Sequence, residues 1–385
     1  MLCRAAISAA VVVFLGTVPC AGQHTGSARA IDAQFTEVFW IGDEESERQF
    51  GDVTAMEFSP DGRHLVVLDR LAFGIVVYDM EGAEVASWGR EGDGPGEFRN
   101  RPLHLAVSEE GMIAAGTGRS AELFDISGEP IETRSFRGHT AFGMSFDDRG
   151  RLLVEAVSWR ETAPVQLIRL DDDEVLWTSK PLIPALSPVV YSVGPVIDPI
   201  GSNRIAVGNT DRYDFAILDA GTGHEVGRIG RNVPIRAVTA DHRRRLSDRL
   251  SNSTEVTFAD TFPVATEVFA GPSGRMLWVR RGMGVGDELA PPVERMEDAI
   301  WRLYDLFRSD GGNYYGTVEV PEDFLLLATT PGLVAGVHRD ELARESVRVF
   351  SVRVSMDAPH PWEPIDVSTS QSRPAAAAPA AVSRR

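Results

Sequence analysis

The chain has 385 residues, with 38 lysines and arginines against 56 aspartates and glutamates and a formal charge of −18. That balance excludes nucleic acid as an expected partner, because affinity for phosphate backbones rests on clustered basic side chains; the acidic surplus reads as solubility. The two cysteines, Cys3 and Cys20, both fall near the start, so the rest of the chain carries neither a disulfide framework nor a thiol nucleophile.

Arg4 precedes an apolar run over 5–15, followed by Gly16, Thr17 and the small residues around Cys20-Ala21-Gly22. This is the order of a secretory signal over 1–22, and the run is shorter than the roughly 20 residues that a spanning helix needs. A lipid anchor at Cys20 competes with that reading, but Pro19 stands where such a signal takes a small flexible residue. The expectation is a secreted or periplasmic protein with no transmembrane segment in its mature chain. Residues 23–32 read as a loose leader.

From Val53 to Phe98 the chain shows the clearest copy of a unit that then repeats. Four short β-rich runs, 54–58, 64–69, 75–79 and 85–88, are parted by the turn Ser59-Pro60-Asp61-Gly62, a looser 70–74 and the turn Met80-Glu81-Gly82. Asp-Gly and Glu-Gly corners suit the positive φ of a tight reversal, so the unit predicts a four-stranded antiparallel meander. The passage Gly89-Arg90-Glu91-Gly92-Asp93-Gly94-Pro95-Gly96-Glu97-Phe98 then leads to the next copy.

The second copy takes 103–107, 112–115, 121–125 and 131–136, the third 142–146, 152–157, 165–170 and 175–178, and the fourth 191–197, 204–207, 214–219 and 226–229. The fifth is stretched over 265–270, 276–280, 300–305 and 315–320. Local propensity alone would make 296–307 an amphipathic helix, but 300–305 falls where 75–79 falls in the first copy and a Gly corner follows it. The sixth copy has 324–328, 333–337 and 347–352 and stops one strand short.

Glu37-Val38-Phe39-Trp40-Ile41-Gly42, with Phe50 beyond, matches the fourth strand 85–88 with Gly89 and Phe98 beyond it. A lone fourth strand at the start and a last copy lacking one are what a closed ring needs. The fold expected is all-β, a six-bladed β-propeller over 33–356 whose last blade is closed by the N-terminal strand. Its blades fall at about 53–98, 102–138, 141–179, 190–230, 263–320, and 322–354 plus 36–42. The Pro- and Ala-rich 357–385 reads as a disordered tail.

Ser59-Pro60-Asp61-Gly62, Val67-Leu68-Asp69, Val77-Tyr78-Asp79, Gly82, Trp88-Gly89 and Gly92-Asp93-Gly94-Pro95-Gly96-Glu97-Phe98 together resemble the NHL repeat, and more closely the secreted bacterial six-bladed propellers related to it. The last of these signatures is confined to the first blade; the other blades match in strand order and corners. The resemblance implies the fold. For function it implies a range, since relatives include binding scaffolds, amidating lyases and sugar lactonases.

In a meander blade the 1–2 and 3–4 turns lie on one face of the disc, and the 2–3 loops and blade-to-blade links on the other. Here the long segments, 89–101, 179–188, 232–262 and 281–298, all belong to the second class. Length is concentrated on one face, which is therefore the expected binding face. The ends of the second strands should open there, placing Asp69, Glu155, Asn209, Arg280 and His338 at a polar mouth, with Arg70, Arg281 and Arg339 beside them. These groups could grip an anion or ligate a metal, or they could pair with one another and with loop backbone. Asp69 resembles an aspartate that recurs in NHL blades and favours the structural role.

His104, on an innermost strand, is either a channel-facing ligand group or a satisfied wall residue, and no His-x-x-His pair supports zinc. Asp69, Glu155 and Asn209 offer the hard oxygens that Ca2+ would take. Gly89 to Gly96 lacks the Lys and Ser or Thr of a phosphate loop, and no Gly-x-Ser-x-Gly elbow is present. Residues 240–250 predict a short helix docked by Leu246 and Leu250 with its arginines outward. Two functions follow. The first is a non-catalytic propeller, without a cofactor, that binds a partner protein or small-molecule ligand on its looped face. The second is a metal-dependent lyase or hydrolase, lactonase-like, with its site at the central channel.

Overall fold

The computed structural model describes residues 28–42, 46–158, 164–181, 189–201, 203–249, 257–290, 302–309 and 312–355. The signal segment, both cysteines, Leu250 and the C-terminal tail lie outside them. Six four-stranded antiparallel sheets follow one another in chain order, and the last joins Phe324–Thr330, Leu333–Arg339 and Glu345–Val354 to the N-terminal Ala33–Ile41. The protein is a six-bladed β-propeller closed by its first strand. We number the blades 1 to 6 from Val53 and their strands from the axis outward.

Both faces of the inner strands are buried, and the six seams between blades explain why. Along His64–Asp69, Leu65 and Val67 pack towards blade 6 while Val66 and Leu68 pack towards blade 2. Alternation therefore delivers each side chain to one neighbour or the other, and the strand reads as a continuous apolar run rather than as an alternating one. Phe50 and Phe98, from the links between blades, plug into the apolar clusters beneath the strands that follow, and Phe262 packs with Val238, Tyr191 and Phe258. Corners are held by aspartates. Asp79 Oδ1 accepts from the backbone N–H of Glu81 and Ala83 at 3.1 and 2.8 Å, and Asp125 does the same for Ser127 and Glu129 at 2.9 and 3.0 Å.

Closure is reinforced at two places. Glu345 Oε2 accepts from the Val53 N–H at 2.6 Å and its other oxygen from Arg339 Nη2 at 2.7 Å, tying blade 6 to blade 1. Residues 29–31 lie along the outer strand of blade 5, with Ile31 N donating to Thr317 O at 2.8 Å. Gly316 makes room for them: a Cβ there would sit 2.3 Å from Ile31 Cγ1. The end of the segment read as a loose leader is thus pinned, because Ile31 buries its side chain in the blade 5–6 core.

Two strands differ from expectation. The first strand of blade 4 is Pro195–Pro199 rather than 191–197; Tyr191 adopts φ 61° and puts its ring against Phe258 and Phe262. The third strand of blade 5 is Leu303–Arg308 rather than 300–305, running up to the corner at Ser309 so that Leu306 and Phe307 are fully buried. Strand does replace helix over its described part.

The looped face carries a cap over blades 4 and 5. Val189–Val190 pairs in parallel with Thr257–Phe258, and the link after blade 4 zips against the glycine-rich 2–3 loop of blade 5 through Arg236 N to Gly284 O and Gly286 N to Pro234 O, each 2.8 Å. A Cβ at Gly282 or Gly284 would lie 2.2 or 2.4 Å from the carbonyl oxygens of Pro263 and Phe262, so the close approach requires glycine. The predicted helix is Ala240–Arg249, with Thr239 Oγ1 accepting from His242 N at 3.3 Å as its cap. Arg244 and Arg245 pair with Asp241, whereas Arg243 turns to Asp260 and the Ala259 carbonyl.

Candidate ligand site at the central channel

The six predicted site residues do not gather into one mouth. Asp69 is 3 % exposed, and its two carboxylate oxygens accept from the backbone N–H groups of Gly51, Asp52, Leu71 and Ala72 at 2.8–3.2 Å. It fastens two loops, with three of the four bonds on Oδ1. Asn209 stands at the matching register of blade 4, opposite Pro195 and at the looped end as expected. His338 sits at the looped end of blade 6, but its ring meets Trp40 on the outermost strand, 6.1 Å away and edge-on, and Arg348 stacks on that tryptophan at 3.8 Å. Burial and the Arg348 charge push the His338 imidazole below the usual histidine range.

Glu155 and Arg280 are not at strand ends. Their strands run on to Ser158 and Arg281, and both residues occupy one register, opposite Gly143 and Glu267 respectively. With Asp69 in blade 1, Glu155 in blade 3 and Asn209 in blade 4, the oxygens proposed for Ca2+ are not brought together. Among the described residues no three His, Cys, Asp or Glu side chains are placed to hold a metal ion.

What the fold does assemble lies on the channel wall, which the first strands form by lying against one another round the axis, most loosely between blades 3 and 4. Asp198 on this wall is the same distance from its turn as Glu57: Ser59 N bonds His64 O and Ile200 N bonds Arg204 O, each at 2.9 Å. Blades 1 and 4 are opposite in a ring of six; Glu57, paired with Val66, lies on the blade 2 side of its strand, and Asp198 bonds towards blade 5. Burial pushes Glu57 up to about 8. Burial and the Glu267 charge push Asp198 up to about 8, against the pull of Val268 N–H, which donates to Asp198 Oδ2 at 2.7 Å.

Glu155 joins them from the second strand. Gly143 has no side chain to block it, and a Cβ there would lie 2.4 Å from Glu155 Oε1. Burial and the neighbouring Asp198 carry the Glu155 carboxyl well above the carboxylate range. Glu267 is raised by burial, opposed by Arg280, whose Nη2 is 2.8 Å away. All four residues keep some exposure yet are hemmed in by enough protein to lose much of their hydration.

Bulges re-aim further side chains on this wall. Thr54, Phe142 and Thr266 are the unpaired bulge residues at one register in blades 1, 3 and 5. Phe142 is 52 % exposed on an innermost strand, while Thr54 Oγ1, Thr266 Oγ1 and His104 Nε2 are buried without a hydrogen-bond partner. Burial lowers the His104 pKa, opposed by a backbone hydrogen bond at Ala141. The sequence reading singled out Glu155, His104 and Arg280 but missed Glu57, Phe142, Asp198 and Glu267. Charged residues inside otherwise apolar first strands were the signal available.

A second polar cluster lies beneath the cap. Asp305, fully buried, accepts from Tyr213 Oη and Arg231 Nη1 at 2.8 Å each and from Thr317 Oγ1 at 2.5 Å. Asp287 pairs with Arg231 and Arg281 at 2.8 and 2.5 Å, and Arg231 stacks on Tyr314 at 4.0 Å. Two carboxylates held between two buried guanidiniums make a brace between blades 4 and 5.

No family model matches the chain, and no curated protein matches it in sequence. Solved structures share the fold, among them two from Bacteroides. A member of the DUF4221 family from Bacteroides vulgatus superposes with a TM-score of 0.54 at 11% identity, over 84% of this chain and 99% of that one. A protein of Bacteroides fragilis described as an inferred exported protein gives 0.51 at 13%, over 85% and 96%. At such identities the likeness is one of fold. No helix among the described residues is long and apolar enough to cross a membrane.

Proposed function

We propose that the protein is an exported, NHL-related propeller that binds a ligand in its central channel, without chemistry of its own. The observation that carries this reading is the unsatisfied polarity of the channel wall. Glu57 and Glu155 make no hydrogen bond or ion pair among the described residues, and Thr54, Thr266 and His104 keep buried polar atoms without partners. A native fold leaves few such groups, and several of them on the inner strands are what a bound molecule or ordered water would satisfy. Phe142 adds exposed apolar surface at the same place.

The metal-dependent alternative has less support, because its donors are dispersed over three blades. Thermal unfolding decides between the two. With Ca2+, Zn2+ or Mn2+ against chelator we expect an unchanged midpoint, and a small-molecule library should yield compounds that raise the midpoint of the parent but not of Phe142→Ala. A metal-specific shift lost in Asn209→Ala would replace this reading with the lyase or hydrolase one.

A further inference from the structure

Blades 3 and 5 present the same register pair with opposite contents. In blade 5 the second-strand residue is Arg280 and its first-strand partner is Glu267. The guanidinium lies 2.8 Å from Glu267 Oε2, donates from Nε to Tyr304 Oη at 2.9 Å and from Nη2 to Leu326 O of blade 6 at 2.5 Å. It also rests 5.5 and 5.7 Å from the ring centres of Phe269 and Tyr304. A cation, a carboxylate, a group from the next blade and aromatic faces make up the arrangement.

In blade 3 the second-strand residue is Glu155 and its partner is Gly143. The carboxyl lies over the bare glycine, the charge of Asp198 in the next blade reaches it, and Phe142 precedes Gly143 on the bulge. Carboxylate, next-blade acceptor and aromatic ring are all present, while no Arg or Lys pairs with Glu155 among the described residues. Glu155, on the same face of its strand as Leu153, faces the seam between blades 3 and 4, where the first strands part most, while Asp198 bonds Val268 N on the blade 5 side of its own strand.

Resting on the channel reading above, we propose that the ligand carries an organic cation, an ammonium or guanidinium group, received between Glu155 and Asp198 with its carbon chain on Phe142. A metal ion does not suit the place, since it needs three or more ligands that converge, whereas one ammonium can spread its three donors over the oxygens of two carboxyls. The bound charge would do for Glu155 what Arg280 does for Glu267, and the aromatic face would serve it as Phe269 serves Arg280.

The test is calorimetric titration of agmatine, n-butylamine and the neutral isostere 1-butanol into the full mature protein, with unfolding midpoints as a check of folding. We expect saturable binding of agmatine below about 10 mM, at least about tenfold weaker in Glu155→Gln and in Phe142→Ala, unchanged in Glu110→Gln at an exposed corner, and no binding of 1-butanol. Asp198→Asn serves as the second variant should Glu155→Gln fail to fold. Equal affinity in Glu155→Gln and Glu110→Gln, full competition by Mg2+ at equal ionic strength, or no saturation overturns the proposal. A neutral or anionic library compound whose binding is lost in Phe142→Ala would overturn the cationic class and leave the channel as a binding site; no compound sensitive to Phe142 would remove both.

Discussion

The register pair of blade 5 is closed on itself, with Arg280 saturated by Glu267, Tyr304 and the Leu326 carbonyl, whereas in blade 3 the equivalent pair sets Glu155 against Gly143 with no cation paired to it among the described residues. One backbone frame thus hosts a structural ion pair and an unfilled polar cradle. In a repeat protein the scaffold holds the geometry constant, so the difference is purely one of side chains. Where the frame is satisfied it supports the ring, and where it is not it offers room and charge.

The comparison can be broken by substitution. Arg280→Ala should cost the most, about 3–5 kcal/mol in a urea titration, because Glu267 and the Leu326 carbonyl would lose a buried partner. Wild-type stability in that variant would mean that blade 5 does not depend on its cation. Gly143→Ala should cost about 1–3 kcal/mol, since the new methyl meets the Glu155 carboxylate at a distance that forces it or the bulge to move.

The channel carboxyls give a pH signature of known sign. Glu57 holds its proton to about pH 8 in the folded protein, against an ordinary value of 4.5. The native state therefore binds more protons than the unfolded chain across that interval, and its contribution to stability falls as pH rises from 4.5 to about 8. Glu57→Gln should flatten this slope and, after allowance for channel water, raise stability by about 1–2 kcal/mol at pH 9 with little change at pH 4, read from urea midpoints. A steeper slope in the variant would contradict the placement of Glu57 in a desolvated wall. Glu110→Gln should change stability least, within about 0.5 kcal/mol at any pH, as expected of an exposed corner.

Much of the fold was legible because the signals were local. Asp-Gly corners, the Phe50 and Phe98 plugs and the unmatched strand at 37–42 each act within a few residues of themselves. The structural role of Asp69 was legible for the same reason, since its four donors lie in the adjoining loops. Glu155 drew notice as a charged residue, but its situation is set by a glycine on a neighbouring strand and a carboxyl from another blade. Asp198 depends on Val268, seventy positions on. The bulge that exposes Phe142 exists only in the pairing of two strands. Such facts are properties of register, which one sequence does not display.

Closure by the first strand also sets an order on synthesis. Among the blade strands Ala33–Ile41 emerges from the ribosome first, and its partner Glu345–Val354 last. Until then five blades can form but the circle stays open, with the inner strand of blade 1 bare on the side where Glu345 will meet Val53. A contact spanning 292 positions is slow to find, so the chain passes through a long interval with an unlatched edge. The clasp that gives the finished disc its permanence makes its birth the moment of greatest exposure to misassembly.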